Sequence, residues 1–171
     1  MRILGVLGHP VAHSLSPEMQ NAALKAAGLD REYIYLAFDI LPQDLGIAVQ
    51  ALKVLGARGA NVTIPHKEGV IPYLDELDNR AEAVQAVNVI VHQDNRLVGY
   101  NTDGTGFVRS LKDDARVDPQ GKKILVLGAG GAAKALCAAL ASAGAKEIAI
   151  VNRTMERAEF VAERVRQLGA K

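Results

Sequence analysis

A chain of 171 residues, 49% hydrophobic and 23% charged, is long enough to bury a core and suits one large or two small domains. With 20 basic against 19 acidic side chains the net charge is +1, which excludes the electrostatic footprint of a nucleic-acid or anionic-membrane binder. One cysteine, Cys137, excludes an internal disulfide framework, and 4% aromatic content without Trp argues against a stacking platform for bases or sugars.

The apolar start Met1–Leu7 is broken by Gly8-His9-Pro10. It is too short for the apolar region of a signal peptide or for a membrane span, so a cytoplasmic location is expected. Ile3–Leu7 is a predicted strand. Ser16 as cap, Pro17 at the first helical position and Glu18 at the positive dipole end predict a helix with an apolar stripe of Met19, Ala22, Ala23 and Ala26, stopped at Gly28. Tyr33–Phe38 is a second strand, Pro42–Leu55 a helix ended at Gly56, and Ala60–Thr63 a third strand. This alternation predicts a parallel sheet with crossover helices. Asp75, Glu76 and Asp78 are expected to form a solvated face.

Ala86–His92 and Leu97–Tyr100, separated by the turn pair Asp94-Asn95, predict a hairpin and therefore a mixed sheet. A helix is expected from about Gly104 to Lys112. The polar stretch Asp113–Gly121 looks like a seam. Beyond it come strand Lys123–Leu127, helix Ala132–Ala143, strand Ile148–Val151 and helix Met155–Leu168. Two strand-helix units make half of a doubly wound fold, and a full nucleotide sheet needs on the order of 100 more residues. The expected fold class is α/β: a three-layer α/β/α domain with a mixed, mainly parallel sheet over residues 1–103, then an incomplete Rossmann-type doubly wound domain over 104–171.

Gly128-Ala129-Gly130-Gly131-Ala132-Ala133 fits G-x-G-x-x-A directly after a strand and opens a helix, the context in which such a turn receives a pyrophosphate. After the next strand, where an acid would hold a ribose 2′-hydroxyl, the chain has Asn152-Arg153-Thr154, with Arg157 one helical turn on. Guanidinium groups pair with a 2′-phosphate and a carboxylate would repel it, so NADP(H) is the expected cofactor.

Three further segments carry polar residues at or just past the carboxyl ends of predicted strands, where open α/β sheets bind ligands. They are Gly8–Pro17, Gly59–Lys67, and Ala86-Val87-Asn88 together with Gly99–Gly104. Their hydroxyls, amides, ammonium and carboxylate suit a small polyhydroxylated acid. His9, His66 and His92 lack ligand spacing, so no metal site is expected.

These stretches resemble the H-S-x-S-P, N-V-T-x-P-x-K, A-V-N and N-T-D-G-x-G motifs of the shikimate dehydrogenase family, and the glycine turn with Asn152-Arg153-Thr154 resembles its cofactor motifs. The resemblance runs from about Leu4 to Arg157. It implies that Ser14 and Ser16 bind a substrate carboxylate, that Asn61, Thr63, Asn88 and Asp103 hold ring hydroxyls, and that Lys67 and Asp103 form the catalytic pair. It implies NADP-dependent reduction of 3-dehydroshikimate to shikimate in aromatic amino-acid biosynthesis. Gln20-Asn21 and Val89 depart from the family's usual His-Asn and Thr. Family members also run on through a nicotinamide-binding half that this chain lacks, so the chain alone is expected to be weakly active or inactive. The alternatives are a quinate/shikimate dehydrogenase using NAD and a non-catalytic ligand-binding fragment. A small-molecule substrate is the expected partner, with no nucleic acid and no membrane, and a homodimer stays open.

Overall fold

The computed structural model describes residues 1–167; the last residue of the expected terminal helix, Leu168, lies outside the described residues. Residues divide into two compact units, Met1–Ala81 with Val87–Tyr100, and Glu82–Ala86 with the chain from Asn101 onward.

The first unit is built on a six-stranded sheet. Its strands are β1 (Arg2–Gly8), β2 (Tyr33–Asp39), β3 (Gly59–Val62), β4 (Glu76–Leu77), β5 (Val89–Gln93) and β6 (Arg96–Tyr100), in the order β2-β1-β3-β5-β6-β4. β1 runs parallel to β2 and β3, and β4 parallel to β6, while β5 is antiparallel to β3 and β6. The sheet is therefore mixed and mainly parallel, as expected. The β5–β6 hairpin turns on Asp94 and Asn95 at φ 49° and 60°, the left-handed pair a two-residue turn needs.

Alternation along β1 makes the layers. Leu4 and Val6 cluster with Tyr35 and with Leu24 of helix α1 (Ser16–Ala26). Ile3 and Leu7 point the other way, into a larger core with Leu45, Val49 and Leu52 of helix α2 (Leu45–Val54) and with Val62, Ile90 and Leu97. Helices on both faces of the sheet give the three-layer arrangement.

Several local expectations change. α1 begins at Ser16 itself with Leu15 in the cap position, and it is Ser14 whose Oγ accepts the Ser16 N–H at 3.3 Å. The stripe of Met19, Ala22, Ala23 and Ala26 is exposed. The helix turns Asn21 and Leu24 to the sheet instead, because the Asn21 amide bonds both the N–H and the C=O of Tyr35 at 2.9 Å. Pro42–Asp44 forms a 3-10 turn before α2, so the expected single helix is divided. Helices α3 (His66–Gly69) and α4 (Asn79–Val84) and the short β4 had no clear periodicity to reveal them.

Of the acidic trio, Asp75 and Glu76 are exposed, as expected of a solvated face, and Asp78 is half-buried; all three also have partners. Asp75 accepts the Leu97 N–H at 2.6 Å and pairs with Lys53 at 2.7 Å. Glu76 pairs with Arg96 at 2.9 Å, and Asp78 accepts the Ala81 N–H at 2.8 Å, capping α4.

The second unit holds helix α5 (Asp103–Asp113), strand β7 (Lys123–Leu127), helix α6 (Gly131–Ser142), strand β8 (Glu147–Val151) and helix α7 (Met155–Gln167). β7 and β8 pair in parallel through the α6 crossover. One face of this ribbon, with Val126, Ile148 and Ile150, packs on Cys137, Val161 and Val165, while Leu125 and Leu127 on the other are 62% and 77% exposed. The chain passes into this unit at Asn101, before α5 and ahead of the polar stretch 113–121. The close packing of α5 on α6 is the reason: Gly104 lies directly against Ala135 and Ala139. Among the described residues no helix is long and apolar enough to cross a membrane.

Candidate active site

Parallel pairing puts the carboxyl ends of β1 and β3 at one edge of the first unit's sheet, and the antiparallel hairpin returns the start of β5 and the end of β6 to that same edge. Ser14 and Ser16 follow β1, Thr63 and Lys67 follow β3, and Asn88 precedes β5, so topology gathers residues distant in sequence. The loops are tied by backbone bonds: His9 N–H to the Ile64 carbonyl at 3.0 Å, Thr63 N–H to Leu7 at 2.9 Å, and Val87 N–H to Lys67 at 2.7 Å.

Ser14, Ser16, Asn61, Thr63, Lys67 and Asn88 are all half-buried, the exposure a small-ligand site requires. Asn61 sits within β3, and its Nδ2 donates to the Asn88 carbonyl at 3.4 Å. Its Oδ1 accepts the Tyr35 hydroxyl at 2.7 Å. Burial pushes the Tyr35 hydroxyl up to about 12, so it remains a protonated donor at neutral pH. Tyr35 was legible in the sequence only as a strand residue, since nothing local marks a hydroxyl that reaches over β1 to β3. Asn61 and Tyr35 also line a groove of about 250 Å³ with Gln20 and Arg58.

Asp103, in the second unit, opens α5 and is half-buried. Its N–H donates to the Asn101 Oδ1 at 3.1 Å, and the buried Asn101 amide donates in turn to the Ala86 carbonyl at 2.9 Å. Asn101 thus holds the start of α5 and orients Asp103, a role the sequence did not disclose.

The glycine-rich turn has the expected form. Gly128 is at φ 110°, a conformation open to glycine and costly for other residues, and its N–H donates to the Val151 carbonyl at 2.7 Å. A Cβ at Gly130 would meet nothing within 4 Å, so its backbone is open to an approaching group. The first intrahelical bond of α6 runs from the Lys134 N–H to Gly130, which leaves the N–H groups of Gly131, Ala132 and Ala133 directed out of the helix end. Ala129 is buried beside them. After β8, Asn152 Nδ2 donates to the Thr154 carbonyl at 2.8 Å and holds the turn that displays Arg153. Arg153 and Arg157 are exposed. Outward N–H groups at a helix start, beside two guanidiniums, form a donor set that fits the phosphates of a dinucleotide. Among the described residues no group of three or more His, Cys, Asp or Glu is arranged to hold a metal.

A family model described as the shikimate dehydrogenase substrate binding domain matches residues 6–90, and one described as shikimate / quinate 5-dehydrogenase matches residues 111–170. A shikimate dehydrogenase (NADP(+)) of Moorella thermoacetica is 56% identical over 160 residues, which cover 94% of this chain and 53% of that protein. A crystal structure of shikimate dehydrogenase in complex with NADP+ is 45% identical with a TM-score of 0.91, covering 100% of this chain and 58% of that one. Shikimate 5-dehydrogenase from Listeria monocytogenes, in complex with shikimate and NAD, is 43% identical with a TM-score of 0.89, covering 98% and 58%. The chain spans about half the length of the curated relatives it matches. With both family models matched in order, and relatives this similar along nearly all of its residues, the chain belongs to the shikimate dehydrogenase family.

Proposed function

We propose that this chain is the substrate-binding part and the first cofactor-binding part of an NADP-dependent enzyme that reduces 3-dehydroshikimate to shikimate. The observation that carries the proposal is the gathering of Ser14, Ser16, Asn61, Thr63, Lys67 and Asn88 at one sheet edge, in a chain of this family. Residues 1–103 are assigned to substrate and 104–171 to cofactor.

In this reading Ser14 and Ser16 donate to the substrate carboxylate, and Asn61, Thr63, Asn88 and Asp103 partner its hydroxyls. Each hydroxyl so paired raises discrimination against analogues lacking it, because a buried polar group would otherwise go unsatisfied. Gly128, Ala129, Gly130, Gly131 and Ala132 receive the pyrophosphate, and Asn152, Arg153, Thr154 and Arg157 hold the adenosine end with its 2′-phosphate. Bound NADPH supplies the hydride that converts the substrate carbonyl to an alcohol. Negative charge then develops on the carbonyl oxygen, and Lys67 meets it with a hydrogen bond and a proton, with Asp103 as the acid–base partner.

The test is steady-state turnover of the full-length protein with shikimate and NADP+. Lys67→Ala is expected to lower kcat by roughly 10²–10⁴-fold with little change in KM. Wild-type turnover in that variant overturns the assignment. The 171-residue chain alone is expected to bind shikimate while turning over weakly. Because a relative was crystallised with NAD, both cofactors are assayed, and a preference for NAD with quinate would favour the quinate/shikimate alternative.

A further inference from the structure

Lys67 sits on α3, a helix of four residues. One turn cannot stand on its own hydrogen bonds, because nucleation costs more than so few bonds return. The placement of the Lys67 backbone, from which the ammonium reaches out, is therefore set by whatever anchors α3 from outside.

The residue next to Lys67 is His66, only 2% exposed and one of two buried polar side chains among the described residues. Its Nε2 lies 2.7 Å from the Ile40 carbonyl oxygen. A carbonyl only accepts, so Nε2 carries the proton and donates. Ile40 is itself fixed, since its N–H donates to the Gly8 carbonyl at 2.9 Å at the end of β1. On the other side of α3, the Lys67 carbonyl accepts the Val87 N–H at 2.7 Å, and the His66 N–H donates to Thr63 at 2.8 Å. The turn is held at both sides by backbone bonds, and His66 supplies the side-chain tie that reaches from it to the end of β2.

We propose that His66 is a positioning residue for Lys67: its imidazole fastens the one-turn helix to the Ile40 carbonyl and so fixes where the ammonium stands. The proposal rests on the catalytic reading of Lys67. A displacement of about 1 Å at a reacting group can cost on the order of 100-fold in rate, so a buried hydrogen bond away from the substrate is enough to matter.

The experiment is a double-mutant cycle on kcat in the full-length protein. His66→Phe keeps a ring in the space and removes the N–H; it is expected to lower kcat roughly 10- to 100-fold while KM for shikimate stays within about twofold. His66→Gln, which can place an N–H near the Nε2 position, restores most of the rate. In a Lys67→Ala background, His66→Phe then has no further effect on the residual rate. A loss of the same factor in both backgrounds means that His66 merely supports the fold, and it overturns the proposal. Wild-type kcat in His66→Phe overturns it too. Should His66→Phe fail to fold, His66→Asn, whose shorter amide falls short of Ile40, takes its place in the cycle with the same expectations. Full activity in Lys67→Ala alone is the separate result that sinks the catalytic reading, and the positioning role with it.

Discussion

Gly104 lies against the backbone of Ala135, so close that a methyl group added at Gly104 would stand 2.8 Å from the Ala139 Cβ and nearer still to the Ala135 carbonyl oxygen. This is where α5 crosses α6, and it comes one residue after Asp103. Gly104→Ala is expected to destabilise the protein by about 1–3 kcal/mol, since backbone and not a flexible side chain would have to move. Gly106, on the same helix, has nothing within 4 Å of an added Cβ. Gly106→Ala is therefore expected to be neutral or to stabilise by up to about 1 kcal/mol. Urea midpoints of the two variants check this, and equal effects would remove the packing explanation.

Asp75 links β4's entry to β6. The Leu97 N–H bond first, and then Lys53, hold its carboxyl below the ordinary aspartate range. A carboxyl with a lowered folded pKa stabilises the fold above the unfolded value of about 3.9 and loses that contribution as pH falls through the lower folded value. The wild-type protein should accordingly lose stability in acid more steeply than Asp75→Asn. Denaturation midpoints measured between about pH 6 and pH 2 test it; a constant offset between the two proteins would contradict the linkage.

Cys137 is fully buried in the core under β7 and β8, and desolvation raises its thiol to about 11. Thiolate is the reactive form, so an aromatic disulfide reagent at pH 8 should leave Cys137 untouched until the second unit opens. The rate of labelling is expected to rise with denaturant in step with unfolding. Immediate labelling of the native protein would show that the site is open.

Arg153 follows β8 and is exposed on a turn held by Asn152. If it meets a 2′-phosphate, Arg153→Ala should raise KM for NADP+ by about 10-fold or more, the size of one lost charge-assisted hydrogen bond, and leave KM for NAD+ nearly unchanged. Parallel changes for both cofactors would assign Arg153 elsewhere.

Strand and helix periodicities, the Asp94-Asn95 turn and the Gly128 turn were legible because each depends on local backbone preference or on which side chains alternate. Elements with too few residues to show a period, such as α3 and β4, were not. The stripe of Met19, Ala22, Ala23 and Ala26 misled because amphipathicity ranks the faces of a helix by polarity, while Asn21 turns a polar face inward by bonding the backbone of Tyr35. Of the acidic residues, Asp75 and Glu76 are exposed, as a solvated face requires, and Asp78 is half-buried; only their partners, such as the Leu97 N–H bonded to Asp75, were not legible, because they lie on elements distant in sequence.

By itself the amino-acid order determined the local conformations, the α/β class and the motifs that mark the family. Tertiary structure alone decided that Tyr35 bonds Asn61, that Asn101 holds the start of α5 and that His66 reaches Ile40. Two of these bonds, Tyr35 to Asn61 and His66 to Ile40, each join residues 26 apart. Hydrogen-bond partners so distant are chosen by strand order and register, which arise from packing the whole sheet and leave no trace in any short stretch of chain.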